Sequence, residues 1–258
     1  MAQQKRALGF PLWGGDKTWL APQARWRDNA PFFDLDSGPY DLNLDAEQAD
    51  LIQITMSSRM CRESGMQVRR TVRVSADLPG WTVRHEMRNV STHPAEWELW
   101  DVAMVGRPGV VYLPRSAGSA YPEGVRTYDH EGSSANVRER VVRTMGTVAS
   151  VDCRQSAAFK FGVDGSEGWI AAVIEQPDGT LIGYRKEVPV YPNGAYAHGC
   201  VAEVYNSNGY AYFEIELHGP TVELQPGEHF AIEEQQCVAD VHRWPATGAE
   251  ARAVGIAQ

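Results

Sequence analysis

The strongest constraint on what this chain folds into is a period of two. From Leu51 onward, turn signals cut it into short runs in which apolar and polar residues alternate. They are Leu51-Ile-Gln-Ile-Thr-Met, Met66-Gln-Val-Arg-Arg-Thr-Val-Arg-Val, Trp81-Thr-Val-Arg-His-Glu-Met-Arg-Asn and Glu96-Trp-Glu-Leu-Trp-Asp-Val-Ala-Met-Val. Successive side chains on a strand point to opposite faces, so each run reads as a strand with one face buried. Gly65, the turn from Asp77 to Gly80, Asp164-Gly165 and Pro177-Asp-Gly179 supply the breaks. After a long loop from Ser116 to Ser134 the strand rhythm resumes over Val137 to Val151 and continues through Trp169-Ile-Ala-Ala-Val-Ile-Glu. No long apolar pattern of period 3.6 appears anywhere in the sequence. With no linker and no repeat, the expectation is an all-β protein of two large packed antiparallel sheets. It forms a single domain over residues 1–258, with 1–12 and 245–258 as peripheral tails.

Composition narrows the partners. With 258 residues, 43% hydrophobic and 22% charged, the chain is long enough for a sizeable core. A formal net charge of −9 argues against nucleic acid and anionic membranes, which rely on clustered Lys and Arg. The arginines of Arg69-Arg70-x-x-Arg73 and Arg138-x-Arg140-x-x-Arg143 alternate with valine and are expected on exposed strand faces. The N-terminus lacks an apolar run of signal-peptide length, and no segment approaches the roughly 20 residues of a membrane span. A cytoplasmic location is the expectation, or a periplasmic one if a signal was trimmed. Cys61, Cys153, Cys200 and Cys237 are scattered with no C-x-x-C pair, so reduced thiols are expected and neither a metal nor a cofactor is implied.

Chemistry concentrates late in the chain, from Tyr210 to Val238, which reads as strand, tight turn, strand. Phe213, Ile215 and Leu217 take one face of its first half, and Tyr212, Glu214, Glu216 and His218 take the other. Two carboxylates two residues apart on a strand have Cα atoms roughly 6.5 to 7 Å apart, so their heads can converge on one polar ligand or on each other. Like charges that close raise one pKa, which suits acid and base roles. The same alternation is also what a solvated strand face shows.

Upstream, Trp13, Asp16, Lys17, Trp19, Arg25 and Trp26 lie in a segment rich in Gly and Pro. Rings beside polar hooks suit a sugar-binding cleft, and they equally suit a loop that lids a β-sandwich. His85 shares the face of Trp81, Val83 and Met87, as Asp101 shares that of Trp97, Leu99 and Ala103. Each reads either as a satisfied core residue or as part of a cleft. There is no H-E-x-x-H, P-loop, dinucleotide fingerprint or G-x-S-x-G elbow.

Several motifs occur in one order: Gly14-Gly15-x-Lys17-x-Trp19-x-Ala21-Pro22, Asn89, Trp97-Glu-Leu-Trp100, Tyr191-Pro-x-Gly194, and Glu203-Val-Tyr205-Asn206. They close with Phe213-Glu-Ile-Glu-x-x-Gly-Pro220 and Leu224-x-Pro-Gly-Glu228. This order resembles a bacterial family of unknown function within the galactose-mutarotase-like superfamily, from about Leu12 to Val238. The resemblance implies a β-supersandwich with a carbohydrate-sized groove. Its lining would include Trp13, Asp16, Lys17, Trp19, Arg25, Trp100 and Asp101, then Tyr184-Arg185-Lys186, His198, Asn206 and the Glu214/Glu216 strand. In the aldose 1-epimerases of that superfamily a late carboxylate takes the anomeric proton and a histidine protonates the ring oxygen. The carboxylate matches Glu214 or Glu216, with Glu216 expected as the base and Glu214 as its partner or orienter. Where the epimerases carry a histidine followed by Tyr-Phe, this chain has Trp100-Asp101-Val102, which leaves His85, His198 or Asp101 as the acid. The resemblance thus implies a small-molecule sugar or oligosaccharide as partner, acted on by 1-epimerisation, with non-catalytic sugar binding and glycosidase or lyase chemistry as the other readings.

Overall fold

The computed structural model describes residues 14–48, 50–77, 79–129 and 134–256. Seventeen strands and three short α-helices occur among them. In chain order these are β1 (Gly15–Ala21), α1 (Phe33–Asp36), β2 (Tyr40–Gln48), β3 (Leu51–Ser58), β4 (Met66–Ser75), β5 (Trp81–Asn89), β6 (Ala95–Gly106), β7 (Gly109–Pro114) and β8 (Arg126–Thr127). There follow α2 (Ala135–Val141), β9 (Val142–Met145), β10 (Val148–Asp152), β11 (Phe159–Val163), β12 (Trp169–Glu175), β13 (Leu181–Glu187), β14 (Ala202–Asn206), β15 (Tyr212–His218), β16 (Val222–Leu224), β17 (His229–Val241) and α3 (Gly248–Arg252). No helix among the described residues is long and apolar enough to cross a membrane.

The chain forms two compact units: Met1–Val102, Asn193–His198 and His218–Gln235 in the first, and Ala103–Pro192, Gly199–Leu217 and Gln236–Gln258 in the second. In the first, β2, β3, β4 and β5 make an antiparallel meander in which Ile54 faces Val72 and Val72 faces Val83. The period of two works as expected here. Val68, Val83, His85 and Met87 are buried on one face while Arg69 and Arg84 are exposed on the other. β16 pairs with the start of β6, Val222 opposite Trp97.

The second unit packs two antiparallel layers. One runs β8-β11-β14-β15 and the other β13-β12-β7-β10-β9. Phe159, Phe161, Val204, Phe213 and Ile215 from the first layer, and Val111, Leu113, Ala149, Val151 and Ala172 from the second, are fully enclosed. The layers meet closely at Gly109, where a Cβ atom would lie 2.7 Å from the Phe213 ring, so only glycine fits.

Three sequence expectations change. First, Tyr210 to Val238 is not a hairpin: β15 pairs with β14 and β16 pairs with β6. Second, Arg138 and Arg140 sit on a helix, not a strand face. Ser134 caps α2 by accepting the Val137 N–H (3.3 Å), a local bond that an alternation count does not register. Third, the segment after Trp244 is not peripheral. A capping box at Thr247 and Glu250 starts α3, and Ala251 and Val254 complete a core cluster with Tyr112, Val148, Trp169, Ala171 and Val173.

That burial makes a testable contrast. Val254→Asp puts a carboxylate into the cluster and is expected to lower stability in chemical denaturation by about 2 kcal/mol or more, whereas Ile256→Asp, at an exposed site, stays within about 0.5 kcal/mol.

Candidate active site

The polar face of β15 exists as the alternation implies, but it is enclosed instead of solvated. Strand register puts Glu216 opposite Glu203, Glu214 opposite Tyr205, and Lys160 opposite Tyr205, so all five side chains project from one face of the sheet. Lys160 donates to Glu203 (2.7 Å) and to Glu216 (2.8 Å), and both carboxylates have no exposed surface. The Tyr128 hydroxyl also donates to Glu203 and lies 3.6 Å from the Cys200 sulfur. Gly162, opposite Glu203, leaves room for this crowding: a Cβ there would meet Cys200 Sγ at 2.6 Å.

Electrostatics follow from that enclosure. Burial alone would lower the Lys160 pKa, but the Glu203 and Glu216 charges outweigh it and raise it above the usual lysine value. Burial, followed by the Glu203 charge, raises the Tyr128 phenol strongly. Tyr212 is raised in the same way by burial and then by Glu214, to which it hydrogen-bonds. Glu214 differs from Glu216: it keeps 8% of its surface where Glu216 keeps none. The two carboxylates that sequence treats alike therefore divide into one locked in an ion triad and one, also buried, that keeps a small part of its surface and hydrogen-bonds a phenol.

The first unit holds a second polar centre. Trp100 packs flat against Trp26 on one side (5.4 Å between ring centres) and His218 on the other (5.5 Å), with Trp19 edge-on. His198 meets Trp100 at 4.8 Å and His218 at 5.0 Å, and its Nε2 accepts the Gln23 N–H (3.5 Å). Glu98, fully buried, bonds His218 Nδ1 (2.6 Å), the Thr221 hydroxyl (3.2 Å) and the Ala197 N–H beside His198. Glu98 thus fixes one histidine directly and the other through its loop. His198 is half-buried.

His85 lies in the same unit, fully enclosed, with Nδ1 2.7 Å from the Thr18 hydroxyl and Nε2 3.8 Å from Asp101 and 3.9 Å from Glu234. Asp16, His85 and Asp101 each offer an atom within 4.8 Å of the others, the donor chemistry that a cation takes. Asp16 is however already paired with Arg70 and His85 with Thr18, so these groups serve the fold first.

Other expected sugar contacts are placed elsewhere. Lys17 and the Trp19 indole both donate to Asp36 (3.1 and 2.9 Å), and Trp19 and Trp100 are buried, which removes them as stacking platforms. Arg25 remains exposed, lying over the Trp97 ring at 3.9 Å. Tyr184 bonds Gln236 (2.6 Å) on one face of β13, while Arg185 points from the opposite face onto Trp169 (4.5 Å) and Glu187; a strand cannot bring the two together. Asn206 shares the core-facing side with Phe213 and ties the loop carbonyls of Gln155 and Ala157. Trp13 lies outside the described residues. Sequence reading expected no site role for Lys160, Tyr128, Glu98 or Glu203, although the last two fall within its motifs. The cue for Lys160 was a cation between Phe159 and Phe161, and for Glu203 a carboxylate in an otherwise apolar run.

Comparison with solved structures places the chain in a class. A galactose mutarotase-like protein from Lactobacillus casei ATCC 334 superposes over 78% of this chain and 74% of its own, with a TM-score of 0.50 at 8% identity. A TPR-domain containing protein from Parabacteroides distasonis ATCC 8503 does so over 90% of this chain and 40% of its own, with a TM-score of 0.52 at 13% identity. The fold is therefore a galactose mutarotase-like β-sandwich. Within that class, residues 39–239 match the family described as Domain of unknown function (DUF4380), and the chain belongs to it. A sequence search finds no match among curated proteins.

Two outcomes follow from the ion triad. Lys160→Met, which strands two buried carboxylates, is expected to cost about 3 to 5 kcal/mol in denaturant unfolding, with part recovered in Lys160→Met/Glu203→Gln. In an alkaline titration followed by phenolate absorbance, fewer than the ten tyrosines are expected to ionise while the protein stays folded, since Tyr40 is pushed up to about 12, and Tyr112, Tyr128 and Tyr212 further. A folded-state pKa raised above the unfolded one adds stability below the unfolded value and loses it as pH rises. Stability should thus decline above about pH 10, less steeply in Tyr128→Phe.

Proposed function

We propose that this chain acts on a sugar by proton transfer, most simply as an aldose 1-epimerase-like isomerase, with Glu214 as the exchanging carboxylate. The observation that carries this reading is the division of labour on β15. Glu216 shares the Lys160 ammonium with Glu203 and has no exposed surface, so it serves as a fixed group behind the face, while Glu214 keeps a small part of its surface and hydrogen-bonds Tyr212. A general base must be reachable as well as have a suitable pKa, and of the two only Glu214 keeps any exposed surface. Tyr205 and Tyr212, both partly exposed on the same face, offer rings and hydroxyls of the kind that hold a pyranose. The fold it shares with a galactose mutarotase-like protein supports a carbohydrate substrate as analogy.

Trp100, standing where the epimerases carry a histidine, favours a second reading, a sugar-binding protein without turnover. One assay separates them: interconversion of freshly dissolved α-D-glucose and α-D-galactose, followed by polarimetry or NMR. Wild type is expected to accelerate mutarotation and Glu214→Gln to slow it about 100-fold or more, with Glu216→Gln acting mainly through stability. Saturable sugar binding with no acceleration would establish the binding protein instead.

A further inference from the structure

Glu214 lies on one outer side of the second unit, and a separate cleft lies on the other. Gly109 of β7 faces Phe213, so its neighbours Val110 and Tyr112 face away from that core, just as Glu214 faces away on β15. Register puts Ser150 beside Tyr112, Asp152 beside Val110, and Arg143 beside Ser150, all on this far face. The segment around Val254 covers the face over β12. The cover ends at Trp244, and what stays open is a cleft of about 240 Å³. Packed sheets are about 10 Å apart, which separates this cleft from the Glu214 face and makes it a site of its own.

Three arginines line it from three elements: Arg140 on α2, Arg143 on β9 and Arg154 just past β10. Its one carboxylate among the described residues, Asp152, is held by Arg154 through both oxygens (2.9 and 2.5 Å). Arg140 gives an N–H to the Asn136 carbonyl (3.2 Å) and Arg143 one to the Glu139 carbonyl (3.0 Å). Neither forms an ion pair within 4 Å with a carboxylate of the described residues, although the Arg143 charge helps hold the Asp152 pKa down, and each guanidinium has five N–H donors. Tyr112 and Ser150 add hydroxyls at the floor, and burial pushes the Tyr112 phenol up, so it stays a donor. Trp244, with Arg154 at 5.5 Å over its ring, is an apolar wall.

Three arginines less one aspartate leave two positive charges concentrated here in a chain of net charge −9. A carboxylate brings one charge and two oxygens. A phosphate monoester brings nearly two charges and three oxygens, and it suits a guanidinium-and-hydroxyl set of this size better. The cleft is smaller than the roughly 300 Å³ at which drug-sized pockets begin, so it takes the phosphoryl group and little more. We propose that this cleft binds the phosphoryl group of a small phosphorylated molecule, with Arg140 and Arg143 as its ligands and Trp244 against the attached organic part.

Calorimetric titration of the full chain with inorganic phosphate and with glucose 6-phosphate tests this, with acetate and succinate as competitors. The expected result is saturable binding of both phosphates, weakened about tenfold or more in Arg143→Gln and in Arg140→Gln. Arg27→Gln, a control at an exposed site outside the cleft, should bind as wild type. Both cleft arginines are exposed, so thermal melting of the variants is expected to match wild type. Absence of saturable binding at millimolar phosphate would overturn the proposal, as would binding unchanged in both variants, or acetate and succinate binding as tightly as phosphate.

Discussion

One lysine shared by two glutamates governs the second unit. Removing two carboxylates from water costs far more than removing one, and neither Glu203 nor Glu216 has solvent to offset it. Lys160 reaches both at under 3 Å, and Tyr128 adds a neutral donor on the far side of Glu203. Burial, with the Glu203 charge added to it, holds the Tyr128 phenol in its protonated form. Three strands meet through it, β11 by Lys160, β14 by Glu203 and β15 by Glu216, so the sheet's polar face is tied together laterally by charge as well as by its backbone ladder. Such a face is preorganised: Glu214 next to it stands on a strand that cannot easily shift.

The first unit solves a similar problem with a carboxylate instead of a cation. Glu98 accepts from His218, from Thr221 and from the backbone beside His198, so a single buried glutamate orients two imidazoles and a loop. Trp100 fills the space between the rings and the Trp26 face. A bulky indole in this position gives a rigid apolar support between the Trp26 ring and the two histidines. Around Trp19 and Lys17 the same economy holds: Asp36 satisfies both the indole N–H and the ammonium, which closes the aromatic nest instead of opening it to a ligand.

Much of the architecture was legible in the residues. Alternation located β3, β4, β5 and β15, and it put His85 on a buried face and Glu214 with Glu216 on a common one. It failed where a local bond or a long-range contact decided the outcome. Ser134 turned an alternating run into α2, and Val254, in an Ala- and Gly-rich stretch that reads as a tail, found a hydrophobic face formed by residues from Tyr112 to Val173. The trio Tyr184-Arg185-Lys186 illustrates a different error. Adjacent residues on a strand face opposite ways, so sequence proximity argued against the shared lining that their chemistry suggested.

By itself the sequence determined that this protein is an antiparallel β structure of the galactose mutarotase-like type with a titratable strand late in the chain. Periodicity and turn residues act over a few positions and are written locally. Which of Glu214 and Glu216 is locked, which histidines are fully enclosed, and where three arginines gather were decided only by tertiary structure. Lys160 is 56 residues from Glu216, and Glu98 is 120 from His218. Partners that far apart are chosen by strand order and register, and the pairing sets each group's charge and exposure.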